Sequence, residues 1–402
     1  TKGTPQGAST SGLLYAASQH YASADAYHWL HAQGGASLAI MDDQLAMCHP
    51  DHCREYIDRL REGLTQRGLG IKLEKSTIVD LQGRADVRQL AEELGMKYST
   101  TGTVFAGIPI GTDTHITAFL QDKLRELKKT SDKLLKLADS QVAYRLLWQA
   151  FLPRGYYYIR TLPLSLCREF AREFDALVSQ HFHRLIGVPK SRKTRFAERQ
   201  ARLGIDQGGL GLYSLEAIAP ACYVATWNGV LRAAETTSCH GNVLKVLKEA
   251  VQQEKYYGKI LQSQLSKLRK MEGRVKDPGT SSTVPSSPGA LGSIEGAFQV
   301  ALTTIISKRR ALSLRQELEQ QRLPTKPPSV RLKSQLHLKA WTQAQALGAS
   351  LWLRALPSGP TLQMKDREFS LALAMRCGLE LTELPFAAKQ LPCICGALMD
   401  LD

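Results

Sequence analysis

The stretch SLAIMDDQLAMC, Ser37 to Cys48, sets two adjacent aspartates between two short apolar runs. Successive side chains of a strand point to opposite faces, so two neighbouring acids cannot both be turned into a core. The pattern predicts strand, tight turn, strand, with the acids at the bend. One carboxylate can then face a metal ion while the other meets solvent or backbone donors. Aspartate is also common in ordinary surface turns, and from these residues alone that plainer reading stands.

Helices and short strands alternate around this hairpin. Residues 11–31 are apolar and Ala-rich and read as a helix that ends near Gly34 and Gly35. In CHPDHCREYIDRLREGLTQRG, Tyr56, Ile57, Leu60 and Leu64 recur at helical spacing, which predicts a helix from Pro50 or Asp51 to Gly68. IKLEKSTIVDL and STTGTVFAGIPIG read as short β segments. Two strands and two helices on one small sheet give an α+β unit over residues 1–112. From Asp113 the pattern is helical, with segments 113–235 and 236–271. Residues 272–293, low in large apolar side chains and rich in Pro, Gly and Ser, read as a flexible linker, and helical signals return over 294–402.

The 402 residues are 43% hydrophobic, enough to bury a sizeable core in two or three domains. Lys and Arg total 52 against 37 Asp and Glu, a formal charge of +15, so the natural partner is a polyanion, of which nucleic acid is the simplest. No apolar run reaches the roughly 18 residues of a membrane helix, and no signal-peptide pattern occurs. An intracellular protein of the nucleus or cytoplasm, with no membrane partner, is expected. Eight scattered cysteines fit a reducing compartment. CHPDHC brings Cys48, His49, His52 and Cys53 close in sequence, but adjacent ligands rarely close a zinc tetrahedron.

Four segments follow in the order and approximate spacing found in reverse transcriptases, and here the chain resembles the reverse transcriptase domain of non-LTR retrotransposons. GTPQGASTSGLLY, Gly3 to Tyr15, is similar to motif B, with Gly3, Gln6 and Gly7 at its signature positions. IMDD, Ile40 to Asp43, resembles motif C; GLGIKLEKS, Gly68 to Ser76, resembles motif D; FAGIPIG, Phe105 to Gly111, resembles the primer-grip region. Ile40 stands where the family usually has an aromatic residue, and Lys72 where it usually has Asn. Read without the family, Gly3 and Gly7 permit a sharp turn near a nucleotide and Gln6 offers a donor and an acceptor, as a plain helix-start loop also would. Lys75 can assist a leaving pyrophosphate or be a solvated surface lysine. Gly107 and Gly111 around Ile108 and Pro109 fit any tight hairpin.

The resemblance implies a polymerase palm in which Asp42 ligates a metal, Asp43 supports it and Lys75 serves the leaving pyrophosphate. It further implies Gly3, Gln6 and Gly7 at the template and nucleotide, and Gly107, Ile108 and Pro109 at the primer end. The implied cofactor is Mg2+ in a two-metal site. The implied partners are an RNA template, a DNA primer or RNA–DNA duplex, and deoxynucleoside triphosphates. The family's motif A, which carries the other metal-binding aspartate, lies upstream of motif B. The chain is therefore expected to be a fragment whose two-metal site is incomplete and which is inactive on its own.

Gln141 to Leu166, QVAYRLLWQAFLPRGYYYIRTLPLSL, resembles the thumb of the same elements, and ARLGIDQGGLGLYSLEAIAPACYVATW a segment that follows it. The expected fold is thus α+β: a partial palm, then a mainly α-helical thumb and C-terminal extension. Arg154, Arg160, Lys190, Arg192, Lys193 and Arg195 are candidates for nucleic-acid backbone contact. Tyr156, Tyr157 and Tyr158 fit core packing or base stacking. GGLG, Gly208 to Gly211, lacks the third glycine of a dinucleotide fingerprint. CICG resembles the start of a zinc knuckle, of which Cys393 and Cys395 supply half the ligands; Zn2+ would belong to the full-length protein, and here two free thiols are expected. The expected function is RNA-directed DNA polymerase of a retrotransposon. The alternative is a non-catalytic nucleic-acid-binding remnant of such an element.

Overall fold

A computed structural model of the chain describes residues 10–40, 42–236, 241–252, 256–276, 281–355, 359, 363–379, 390–392 and 398–400. The architecture is mixed α+β, dominated by helices, and divides into two compact units, Thr1–Leu120 and Gln121–Asp402.

The first unit is organised by two helices, α1 (Ser11–Ala32) and α2 (Pro50–Gln66). Ala22, Ala26 and Leu30 of α1 meet Tyr56, Ile57, Leu60 and Leu64 of α2, together with Leu94, in one apolar cluster. The three- and four-residue spacing of these side chains gives each helix a single buried stripe. Small residues let the helices approach closely at Gly63, whose neighbour is the carbonyl of Ala22. Pro50 opens α2, where a missing N–H costs nothing.

Strands β1 (Ala36–Ile40) and β2 (Asp43–Met47) form an antiparallel hairpin between these helices. A single helical turn at Leu73–Lys75 leads to β3 (Thr77–Val79), helix α3 (Ala85–Glu93) and β4 (Lys97–Ser99). The β3–β4 ladder is parallel, and α3 is the crossover such a pair requires. Strands β5 (Gly102–Phe105) and β6 (Ile108–Gly111) make a second antiparallel hairpin. Among its described residues the unit therefore holds three separate two-stranded ladders where the sequence predicted one small sheet. Strands only three to five residues long pair with the nearest partner along the chain and leave little edge for a further strand.

Helix α4 (Asp113–Leu135) starts where the helical pattern was predicted to start. There follow α5 (Ser140–Leu146), a widened turn at Leu147–Phe151, and α6 (Leu152–Thr161). Pro153, unable to donate into the helical ladder, lies just past the widened turn, a common cause of such bulges. Next come α7 (Leu164–Ile186), α8 (Arg195–Ala201), α9 (Leu215–Thr236), α10 (Gly241–Gln252) and α11 (Tyr256–Glu272). The remaining helices are α12 (Phe298–Gln320), α13 (Pro328–Ala344), α14 (Leu351–Arg354) and α15 (Asp366–Arg376), and β7 (Gln390–Pro392) pairs antiparallel with β8 (Leu398–Asp400).

Within the second unit, buried polar groups tie distant stretches of the chain together. Gln200 donates to the carbonyls of Gly208 (2.9 Å) and Arg376 (2.7 Å) and accepts from His337 (2.8 Å). The Arg376 guanidinium donates to the carbonyls of Ile205, Gly209 and Ala349. Tyr144 donates to Leu210 O at 2.8 Å and Trp341 to Gln207 O at 2.7 Å. The 201–214 loop is thereby held by side chains from α5, α8, α13 and α15, each satisfying a carbonyl that burial would otherwise orphan. The GGLG glycines serve this packing: a Cβ on Gly209 would stand 2.3 Å from Leu203 O, and Gly208 lies against the Trp341 ring with φ +79°.

The stretch expected as a flexible linker, 272–293, is packed over its described part. The Glu272 carboxylate accepts from Ser282 and from the backbone N–H groups of Thr283 and Val284. Val284 and Leu291 are buried, and Gly292 N donates to Asn228 Oδ1 at 2.8 Å. A few buried anchors and hydrogen bonds suffice to fix a short connection of low apolar content.

Candidate functional site

In the β1–β2 hairpin Ile40 pairs with Asp43, Leu38 with Leu45 and Ala36 with Met47. A two-residue connection therefore links the strands, and Asp42 is its second residue while Asp43 opens β2. Both aspartates are exposed, and among the described residues neither carboxylate forms an ion pair or hydrogen bond. Directly paired residues share a face, which groups Asp43 with Ile40, Leu38, Leu45 and Met47. Leu38, Ile40 and Met47 on that face are half-exposed or more, whereas Ala46 on the opposite face packs against the α1–α2 core. The aspartates thus sit at the tip of a hairpin whose other side is anchored.

Tyr15 of α1 lies close enough to Asp42 to feel its charge. Partial burial first, and the Asp42 carboxylate second, push the Tyr15 phenol above its ordinary value. Residues from the motif-B-like and motif-C-like segments are thus close enough to interact electrostatically. Two adjacent carboxylates on a hydrogen-bonded turn, with no cation partner among the described residues, suit a hard divalent cation, which takes oxygen ligands and retains several waters. Gly3, Gln6 and Gly7 lie outside the described residues, as do Cys393 and Cys395.

Lys75 is exposed at the end of the Leu73–Lys75 turn, and among the described residues its side chain makes no ion pair or hydrogen bond. Gly107, Ile108 and Pro109 fall in the β5–β6 hairpin. Ala106 (φ +47°) and Gly107 (φ +77°) form its two-residue turn, the doubly left-handed geometry that matches strand twist. Pro109 is buried opposite Val104. Gly102 faces Gly111 across the ladder, where a Cβ on Gly111 would meet Thr101 O at 2.1 Å.

In the CHPDHC segment the Cys48 and Cys53 thiols hydrogen-bond each other, which lowers the pKa of Cys48 and raises that of Cys53. His49 instead meets Asp51 at 3.3 Å. Among the described residues no three His, Cys, Asp or Glu side chains converge as a metal site.

Helix α6 sorts its tyrosines by face. Tyr158 is buried edge-on to Phe170 at 5.3 Å, and burial raises the Tyr156 phenol strongly. Tyr157 is 39% exposed and lies between exposed Arg154 and Arg160 at three-residue steps. Positions three apart are neighbours on a helix surface, so these residues form a cation–aromatic–cation stripe. Lys190, Arg192, Lys193 and Arg195 are all exposed; Arg195 is partly committed to Glu317 at 3.5 Å.

Sequence reasoning missed a second group of charges. Asp175 of α7 accepts from Ser214 Oγ (2.5 Å), Leu215 N (2.7 Å) and Glu216 N (3.4 Å), capping α9 from another helix. Arg202 reaches Asp175 at 3.6 Å and Glu198 at 3.0 Å, and Glu198 also meets His183 at 3.4 Å. The His183 contact, then Ser179, Arg202 and Lys190, outweigh burial and bring the Glu198 carboxyl down to about 2. A lone Asp inside an amphipathic helix gave no signal that it would cap a helix 40 residues away. Scanned against protein-family models, curated proteins and solved structures, the chain matches none.

Proposed function

We propose that the chain is part of the RNA-directed DNA polymerase of a retrotransposon, which adds deoxynucleotides to a primer 3′ hydroxyl with release of pyrophosphate. The observation that carries this reading is the Ile40–Asp43 pairing, which sets two exposed carboxylates on a fixed turn with no counter-cation among the described residues. Mg2+, when bound, would supply the charge that neutralises a triphosphate and activates the primer hydroxyl. Asp42 would hold it and Asp43 would support that geometry. Lys75, exposed and without a side-chain partner among the described residues, is available to the leaving pyrophosphate. The Arg154–Tyr157–Arg160 stripe offers phosphate contacts beside an aromatic ring, as a nucleic-acid duplex or strand requires. A nuclear or cytoplasmic site of action goes with such substrates; among the described residues no helix is long and apolar enough to cross a membrane.

A second reading, a non-catalytic nucleic-acid-binding protein, is favoured by the +15 formal charge, which would serve binding without chemistry. Primer extension on an RNA template, with a DNA primer, deoxynucleotides and Mg2+, separates the two. The polymerase containing this chain is expected to lose on the order of a hundredfold or more in rate on Asp42→Asn, since a ligand to the metal is removed. Extension that persists undiminished in Asp42→Asn refutes the assignment of the hairpin. Salt-dependent duplex binding with no extension at any Mg2+ concentration favours the second reading.

A further inference from the structure

The second unit contains a cavity of about 470 Å³ lined by Arg172, Lys190, Arg202 and Arg310, with Asp175 and Glu216 as its acids. Four cations face two carboxylates, and the pairing within this set is uneven. Arg172 is matched by Glu216 at 2.9 Å, and Arg202 by Glu198 and Asp175. Asp175 is further saturated by its three donors at the start of α9, so it has little left to offer a further cation. Lys190 and Arg310 remain, and among the described residues neither forms a hydrogen bond or ion pair.

Arg310 is the unusual member. It projects from α12 as a half-buried guanidinium, and its charged form is disfavoured by burial and then by the neighbouring charges of Arg202 and Arg199, with Asp175 acting in the opposite sense. A guanidinium withdrawn from water with like charges around it is costly unless an anion joins it. The α9 N-terminus is not the attraction, because Asp175 already occupies it.

We propose that this cavity binds a phosphate group, held by Arg310 and Lys190. A guanidinium fork and an ammonium suit an oxyanion with several acceptor oxygens, and two cations with no direct acid partner among the described residues match a phosphate dianion better than a carboxylate. The site stands on geometry in the second unit and does not rest on the polymerase reading. The phosphate can be free or monoesterified, or it can be a phosphodiester of a nucleic-acid strand.

Isothermal titration of the whole chain with inorganic phosphate and, separately, with a short single-stranded oligonucleotide tests the proposal. Arg310→Gln is expected to weaken one or both ligands about tenfold, the loss of a charge-assisted hydrogen bond. Ala217→Glu guards against misfolding of that variant. It adds a carboxylate to the cavity wall in the first turn of α9, where an acid favours the helix, so the fold persists while phosphate is repelled. Lys308→Ala, exposed on α12 and outside the lining, is expected to leave phosphate binding unchanged. A loss confined to inorganic phosphate assigns a free or monoester ligand, and a loss confined to the oligonucleotide assigns a backbone phosphodiester. If folded Arg310→Gln and Ala217→Glu bind both ligands as the parent does, or if the parent binds neither, the proposal is overturned.

Discussion

Gly63 of α2 lies so close to Ala22 of α1 that a Cβ at Gly63 would stand 2.0 Å from the Ala22 carbonyl oxygen. The atom it would meet is backbone, which cannot rotate aside. Gly63→Ala is therefore expected to push the two helices apart and destabilise the first unit by roughly 3 kcal/mol, despite alanine's better helix propensity. Urea unfolding followed by Trp29 fluorescence would detect the change, and an unchanged midpoint would show that the helices do not meet at this point.

Gly229 makes the opposite case. It sits within α9, exposed, and a Cβ there would meet nothing within 4 Å. Gly229→Ala is expected to stabilise the second unit by about 0.5–1 kcal/mol through helix propensity and a less flexible unfolded chain. A rise in thermal midpoint is the readout.

Acid should weaken the second unit in a defined window. His181 and His337 are buried, and burial lowers both to about 4, with Arg184 adding to the effect at His181. The unfolded chain binds these protons near pH 6.5. Stability is thus full above about 6.5 and falls as pH drops toward 4, by roughly 3 kcal/mol for each histidine. Glu198, held at about 2, keeps its contribution above its unfolded value near 4.5 and loses it below that. Asp175, raised by burial, acts in the reverse sense and offsets part of the acid loss. Urea midpoints between pH 7.5 and 4.5 should decline steadily; a flat profile would mean that the two imidazoles are reached by water.

The Tyr15–Asp42 proximity can be checked without any activity. Asp42→Asn removes the charge that helps hold the phenol up, so Tyr15 should ionise at lower pH, though still above the ordinary value because burial remains. Ultraviolet titration against a Tyr15→Phe control isolates this residue. No shift would separate the start of α1 from the hairpin tip.

Local patterns were legible in the sequence where one element explains itself. The Tyr56, Ile57, Leu60, Leu64 stripe announced α2, and the alternation around Asp42 and Asp43 announced their hairpin. The parallel pairing of Thr77–Val79 with Lys97–Ser99 was not legible, because three-residue strands carry too little pattern to reveal a partner. The Arg310 cavity was hidden for a different reason. Its members come from α7, α9, α12 and the connections around α8, and only the tertiary fold decides which arginines find acids and which do not. The same holds for the segment after Glu272, whose polar composition said nothing of the carboxylate that gathers it.

The hold of Arg376 and His337 on the 201–214 loop also has a meaning in time. Gln200 and Arg376 are 176 residues apart. At a synthesis rate of about 5–20 residues per second, the loop leaves the ribosome roughly ten to thirty seconds before the last of its donors exists. During that interval the carbonyl of Gly209 lacks the Arg376 donor it meets in the finished fold, and that of Ile205 has only the local Gly208 N–H, so this part of the loop cannot close fully. The second unit is accordingly expected to reach its native state after translation of its last helices, and chains released early would expose the apolar surface that this loop covers.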